Sequence, residues 1–271
     1  MLKAIKLLKR NIMKDIIKEK LNKIEKQRGI KILFALESGS RGWGFLSTDS
    51  DFDVRFVYVK PKKHYLHINE QADFFDFPIN NDLDMNGWDL KKFLKLLYAS
   101  NATPFEWMQS PVIYLKEEIF FEMIEELLTN YFCQQTLVHH YLGLVHKKMD
   151  VLNEENIRLK DFFYIYRSLL AARFAKENNQ FPPMEFSKLM NLVDDKSLIE
   201  ETNRLLVVKK DASEKYTEKI NSELIDYLKF SYKELSDSKK VKRKGTFDIK
   251  SLNETFYKII TDADNRFFEE K

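Results

Sequence analysis

The sequence predicts an α+β fold in which strands and helices alternate over residues 1–115 and helices alone fill residues 116–271. Three observations carry that reading. Short apolar runs bounded by glycine and turn residues occur in the first part. Beyond about Leu115 apolar residues recur at helical spacing instead. Five of the seven glycines, Gly29, Gly39, Gly42, Gly44 and Gly87, fall in the first third of the 271-residue chain. This unevenness divides the chain into two expected domains, 1–115, with residues 1–28 as an N-terminal helix, and 116–271.

The opening helix is plainest over 12–26, where Ile17, Leu21 and Ile24 repeat at helical spacing among lysines. "IKILFALES" follows as a buried strand between Gly29 and Gly39. After a loop over 39–50, "DFDVRFVYV" alternates, with Asp51, Asp53 and Arg55 on one face and Phe52, Val54 and Phe56 on the other, until Lys60 and Pro61 stop it. "FFDFPINNDLDM" offers one or two more short strands. "NGWDLKKFLKLLYAS" reads as a helix with Leu90, Phe93, Leu94 and Leu97 on its apolar face, Asn86 as N-cap and Asp89 as its partner. "TPFEWM" repeats the device with Thr103 as N-cap, Pro104 at the first helical position and Glu106 reaching back. The helices expected beyond are 117–131, 134–149, 157–176, 184–192, 215–235 and 248–267. Pro182 and Pro183 interrupt the series, "SDSKKVKRKG" is an exposed connector, and no repeat of fixed period exists.

Composition narrows the function classes. Lys and Arg number 45 against 42 Asp and Glu, a net charge of +3, too small a bias to imply nucleic-acid binding by itself. The run "KKVKRK" at 239–244 reads first as a solvated linker and only second as a nucleic-acid contact. The lone cysteine, Cys133, excludes an internal disulfide and a cysteine zinc cluster. No apolar run approaches the roughly 20 residues that span a bilayer, so no membrane partner is expected. "MLKAIKLLKRNIM" lacks the apolar core and cleavage site of a signal peptide, so the expected location is the cytoplasm.

The charged strand is the sharpest feature. Side chains two apart on a strand share a face and sit roughly 6 to 7 Å apart at the backbone, so Asp51 and Asp53 repel at low dielectric unless something positive lies between them. A divalent cation supplies that charge, and oxygen-only ligands favour magnesium or manganese over zinc. A solvated strand face would show the same alternation. The preceding residues weigh towards the site: Gly39 permits close backbone approach to an anion, Ser40 offers a hydroxyl and an amide, and Gly42 and Gly44 extend the permissive loop.

A glycine-serine loop followed about ten residues later by Asp-x-Asp resembles the signature of the DNA polymerase beta superfamily of nucleotidyltransferases. "ESGSRGWGFLSTDSDFDVRFVYV", "LDMNGWDLKKFLKLL", "TPFEWMQSPVIY", "KDFFYIYRSLLAARF" and "PPMEF" together closely resemble the RlaP family, the branch of that superfamily associated with RNA-repair gene neighbourhoods. The resemblance runs from about Met13 to Leu192, and it is more specific in the first half. It implies a polymerase-beta-like nucleotidyltransferase domain, a mixed sheet with flanking helices, followed by a helical domain. It also raises Met13 beside Met1 as the natural start, with residues 1–12 an upstream extension.

The resemblance further implies transfer of a nucleoside monophosphate from an NTP to a hydroxyl acceptor, on RNA, a protein or a small molecule, with release of pyrophosphate. Asp51, Asp53 and a third acid would hold two Mg2+ or Mn2+ ions, which in such sites lie about 3.5 to 4 Å apart. One ion would activate the hydroxyl and the other would neutralise the leaving pyrophosphate. Asp84 in "LDM" fits the third position, with Asp76 in "FDF" as its rival. Gly39, Ser40 and Arg41 would take the triphosphate, Ser50 would orient Asp51 or touch phosphate, and Glu37 would orient the loop. Arg55 is either a phosphate ligand or the counter-ion of Asp53. Lys160, Tyr164 and Arg167, at i, i+4 and i+7 on one helix face, match a "KKYxYxLRP"-like family segment that would meet the nucleotide. The chain departs from that segment with Asp161 and Ser168, and an ion-pair stripe is the other reading.

Remaining candidates are weaker. His139, His140 and His146 with Cys133 fit no common zinc spacing and read as ordinary helix residues. His64 and His67 stand near a turn without an evident partner. Trp43, Trp88 and Trp107 read as core before they read as base-stacking groups. Two other function classes stay open beside the transferase, a non-catalytic nucleotide-binding regulator and a helical interaction module.

Overall fold

The computed structural model of the chain describes residues 2–79, 82–237 and 247–268. Met1, the basic run at 239–244 and most of the connector around it lie outside these residues. In order, the elements are α1 (Leu2–Arg28), β1 (Lys31–Glu37), α2 (Gly39–Trp43), β2 (Phe52–Val59), β3 (Phe74–Asp76), β4 (Leu83–Asp89), α3 (Leu90–Tyr98), α4 (Ala102–Met108) and β5 (Ile113–Lys116). There follow α5 (Glu118–Leu128), α6 (Gln134–His146), β6 (Ile157–Arg158), α7 (Leu159–Asn178), α8 (Phe186–Leu189), α9 (Lys196–Asp211), β7 (Thr217–Glu218), α10 (Ser222–Asp237) and α11 (Lys250–Ala263). The class is the expected one, a mixed sheet with flanking helices followed by helices.

The sheet runs β3-β4-β2-β1-β5, with β2 and β4 parallel and the other pairs antiparallel. Two apolar clusters cover its two faces. On one, Ile17, Leu21 and Ile24 of α1 pack against Ile32, Val54, Phe56, Tyr58 and Met85. On the other, Leu33, Phe34, Leu36, Val57 and Val59 meet α3, α4 and α5 and belong to a cluster that extends to Ala263 in α11. The last four residues of β2 are therefore buried on both faces, which is why its alternation fades after Arg55. By parity, Asp53, Arg55 and Asp84 lie on the face that carries Val57 and Val59. Gly87 of β4 is a packing requirement, because a Cβ there would lie 2.2 Å from the Phe56 ring.

Several boundaries differ from the sequence expectation. Asn86 is not a helix cap but a residue of β4. The strand continues to Asp89, which caps α3 itself by accepting from the Lys91 amide at 2.8 Å. The N-cap of α4 is Asn101, which accepts from the Thr103 amide at 2.9 Å; Glu106 turns away to Tyr141. Strand β5, which pairs with β1, and the two-residue pair β6-β7 carry too few residues to show a period. Helix α9 leaves no periodic signal in the sequence for a different reason. Its buried face is Leu198, Thr202, Leu205 and Lys209, and two polar residues there erase the apolar stripe that announces a helix.

Candidate functional site

The site forms where β1 ends and β2 and β4 begin. Strand β1 delivers the chain to Ser38, whose amide donates to the Asp53 carbonyl at 2.8 Å. The expected loop then opens as the short helix α2 rather than as irregular chain. Gly39 enters it with φ +56°, and a Cβ at that position would fall 1.9 Å from Asp53 Oδ2. Only glycine meets both demands, positive φ and no side chain.

The parallel register of β2 and β4 sets Asp53 directly beside Asp84. Asp76 lies one strand further out, exposed and paired with Asn86, whose Nδ2 donates to it at 3.4 Å. The Arg55 guanidinium donates through Nη2 to Asp53 Oδ1 at 3.0 Å and to Asp84 Oδ2 at 2.7 Å, and through Nη1 to the Asp84 carbonyl. Burial pushes the Asp53 carboxyl up; Arg55 pulls it down, and Asp84 and Asp51 raise it again. Asp51 precedes the strand, close enough for its charge to act on Asp53.

Behind the acids sits Glu37, 1% exposed. Its Oε1 accepts from the Asp53 amide at 2.9 Å, and its Oε2 accepts from the Tyr114 hydroxyl. Burial raises this carboxyl from 4.5 to about 7 despite both donors. Glu37 thus fixes the backbone from which Asp53 projects, as a buried group whose charge is poorly solvated.

Arg41 uses Nε and Nη2 on the carbonyls of Asp51 and Ser50, at 2.9 and 2.7 Å, and lies 3.8 Å over the Phe52 ring. Two of its guanidinium nitrogens are committed to holding the turn before β2. The buried Ser50 hydroxyl accepts from Ser40 Oγ and from the Ser47 amide and donates to Glu214 Oε1 at 3.1 Å, so all its capacity is used. Glu214 also accepts from Lys160 Nζ at 2.5 Å, and its amide donates to Asp49. Beside it the buried Lys209 donates to Ser47 Oγ at 2.7 Å, with burial lowering its basicity. The helical half therefore reaches the loop through Glu214 and Lys209, two residues that no sequence motif singles out.

The expected face of α7 runs from solvent to interior. Lys160 is exposed, Tyr164 is half-buried edge-on to Trp43 at 5.9 Å, and Arg167 is 3% exposed. Arg167 donates to the Met184 carbonyl and to Glu106 Oε1, and its guanidinium sits 4.7 Å over the Trp43 ring. Asp161, the departure from the family segment, holds Lys148 and Arg158 at 2.5 Å each. Trp107 is buried against Trp88 at 4.1 Å between ring centroids, and Trp43 packs on the core.

The donor set suits a hard divalent cation, being all oxygen, with Asp53 and Asp84 on one face of the sheet and Asp51 just before β2. A guanidinium already stands as the cation between two of them, and the cradle at Gly39 stays open only because no Cβ fills it. Among the described residues no three Asp, Glu, His or Cys side chains form a ready cation cage, in keeping with Arg55 bridging that place. No described helix is long and apolar enough to cross a membrane.

The model of the RlaP family, the RNA repair pathway DNA polymerase beta family, matches residues 13–258. The uncharacterized protein YcgL of Bacillus subtilis (strain 168) is 38% identical over 204 residues, 74% of this chain and 78% of that protein. The crystal structure of a nucleotidyltransferase-like protein from Exiguobacterium sibiricum 255-15 aligns over 92% of this chain and 81% of its own, with 9% identity and a TM-score of 0.32.

Glu37 generates a pH prediction. A carboxyl raised from 4.5 to about 7 binds a proton on folding. Its contribution is complete below its unfolded value and is lost as pH rises through 7. Urea unfolding of the wild type should therefore lose stability between pH 5 and 8 relative to Glu37→Gln, on the order of 3 kcal/mol at about 1.4 kcal/mol per unit. Parallel pH profiles for the two proteins would contradict the assignment.

Proposed function

The chain belongs to the RNA repair pathway DNA polymerase beta family, RlaP, and on that premise we propose that it is a metal-dependent nucleotidyltransferase. It moves a nucleoside monophosphate from an NTP to a hydroxyl acceptor and releases pyrophosphate. The observation that carries this reading is the pairing of Asp53 with Asp84 across parallel strands, beside a glycine that leaves Asp53 room.

Asp51, Asp53 and Asp84 are the carboxylates that would hold Mg2+ or Mn2+. When bound, such ions supply positive charge that favours the ionised acceptor hydroxyl and offsets charge on the departing pyrophosphate. The chain's own groups do the positioning. Glu37 holds the Asp53 amide, so the acid projects at a fixed angle. Arg41 pins the carbonyls of Ser50 and Asp51, which sets the entry to β2 and brings a permanent charge to the phosphate side. Gly39, Ser40 and Ser50 offer the backbone and hydroxyls for the triphosphate, and Lys160 brings an ammonium from α7. Tyr164 and Arg167 support this wall from behind, since Arg167 is buried against Glu106 and Trp43. Catalysis of this kind is chiefly orientation and electrostatics, which suits side chains fixed on two interior strands.

The family description favours an RNA end as acceptor. A non-catalytic nucleotide-binding regulator is the second reading, favoured by Arg55 bridging the acids and Glu214 engaging Ser50 and Lys160.

Incubation with each NTP, Mg2+ and cell RNA or protein extract, with transfer followed by mass, tests the proposal. The wild type should transfer label, and Asp51→Asn and Asp53→Asn should abolish transfer. Transfer that survives both substitutions contradicts the metal assignment, and nucleotide binding without transfer favours the regulator.

A second expectation concerns Glu214. Its carboxylate engages the serine and lysine assigned to polyphosphate, so an NTP must displace it. Glu214→Gln should tighten NTP binding about 3- to 10-fold in a fluorescence titration, because a competing state is weakened. Weaker or unchanged binding would make Glu214 a fixed support of the loop.

A further inference from the structure

At the other end of β2 lies a second concentration of charge. Arg28 from the end of α1, Lys60, Lys63, His64 and His67 from the turn after β2, and Phe75 of β3 line a cavity of about 400 Å³. No acid lines it. Among the described residues Arg28, Lys60 and Lys63 make no ion pair, whereas the nearby Lys31 pairs with Glu25 and Glu117, and Lys92 with Asp73. Two chain segments thus bring five basic side chains to one concavity, a third adds Phe75, and no ion-paired acid accompanies them among the described residues, in a protein whose total charge is nearly balanced.

The internal contacts sharpen the imbalance. Lys60 Nζ stands 3.0 Å from His64 Nε2 and donates to the Ala72 carbonyl at 3.1 Å. An ammonium can only donate, so His64 accepts at Nε2 and is the neutral form with its proton on Nδ1. The His64 and His67 rings are 5.5 Å apart. Burial, Lys60 and His67 together hold the basicity of His64 down. Asp89 and Asp73 act electrostatically on Lys60 but do not line the cavity. Arg28 rests 5.2 Å over Phe75, which is itself stacked on Tyr58 at 4.8 Å. The ring thus supports the guanidinium without using its donors.

We propose that this cavity is a binding site for a phosphate monoester, free or at the end of a nucleic-acid strand. An arginine fork, two ammonium groups and two imidazoles supply charge-assisted donors for such a dianion, and the Phe75 ring gives an apolar floor for what the phosphate carries. The site is distinct from the acids of the proposed reaction. Lys60 lies seven residues along β2 from Asp53, roughly 20 Å at strand spacing.

The chain has five histidines, so their C2–H resonances report the site directly in the full-length protein. Inorganic phosphate, added at constant ionic strength, should shift the His64 and His67 signals saturably and leave those of His139, His140 and His146 unmoved. His64→Gln and His67→Gln assign the two signals. The shift should persist in Asp53→Asn, which separates this site from the proposed reaction centre. It should weaken at least tenfold in Arg28→Gln/Lys63→Gln, whose changed side chains are exposed. A 5′-phosphorylated oligoribonucleotide that saturates the shift at lower concentration than inorganic phosphate, beside an inert 5′-hydroxyl counterpart, identifies a strand end as the source. Equal potency identifies free phosphate. No saturable shift, an equal shift with chloride, or an undiminished shift in the double variant overturns the proposal.

Discussion

The Arg55 guanidinium, bridging Asp53 and Asp84 across two parallel strands, is the contact on which the site's architecture depends. Parallel pairing of β2 with β4 brings two carboxylates side by side on one face, which costs free energy at partial burial unless a positive charge joins them. Arg55 supplies that charge from the same strand, two residues on. The register is pinned by packing. A one-residue slip of β4 would turn Asp84 towards the cluster that holds Leu83 and Met85 and turn those residues outward. Gly87, fitted against the Phe56 ring, marks the same register from the opposite face.

Around that pair each neighbour restricts one freedom of Asp53. Glu37 fixes its amide, Ser38 its carbonyl, and Gly39 leaves space at its carboxylate. The helical half restricts the loop in front. Thr48 binds the Ala212 carbonyl, Lys209 binds Ser47, and Glu214 binds Ser50. A buried ammonium on α9 satisfied by one hydroxyl is expensive. It ties the loop's conformation to the helix behind it.

The strands and the acid pair were legible because their signals are local. Alternation in "DFDVRF" and the acid between Leu83 and Met85 each need only a few residues to be seen. The partner of Asp53 was legible as a choice between Asp84 and Asp76, and it took the register of β4 to set one beside Asp53 and the other a strand away. Arg55 was likewise open between two roles until its neighbours were known. Glu37 is legible as an orienting group, but burial raises its carboxyl against the pull of the Tyr114 hydroxyl, and no spacing encodes either effect. Glu214 and Lys209 escaped altogether, since they meet Ser50 and Ser47 across more than 160 residues of chain. The second cavity leaves no motif, because its walls come from three separate segments: Lys60 reads as the end of a strand, and His64 and His67 stand near a turn without an evident partner.

Direct titration with Mn2+, followed by electron paramagnetic resonance on the full chain, tests the proposal that Asp53 and Asp84 form a cation site bridged by Arg55. Wild type and Asp76→Asn should bind Mn2+ with similar affinity, and Asp84→Asn should lose at least about tenfold, the cost of one charged ligand. Arg55→Gln should bind more tightly than wild type, because the competing cation is gone. Loss of binding in Asp76→Asn with retention in Asp84→Asn, or weaker binding in Arg55→Gln, would contradict it.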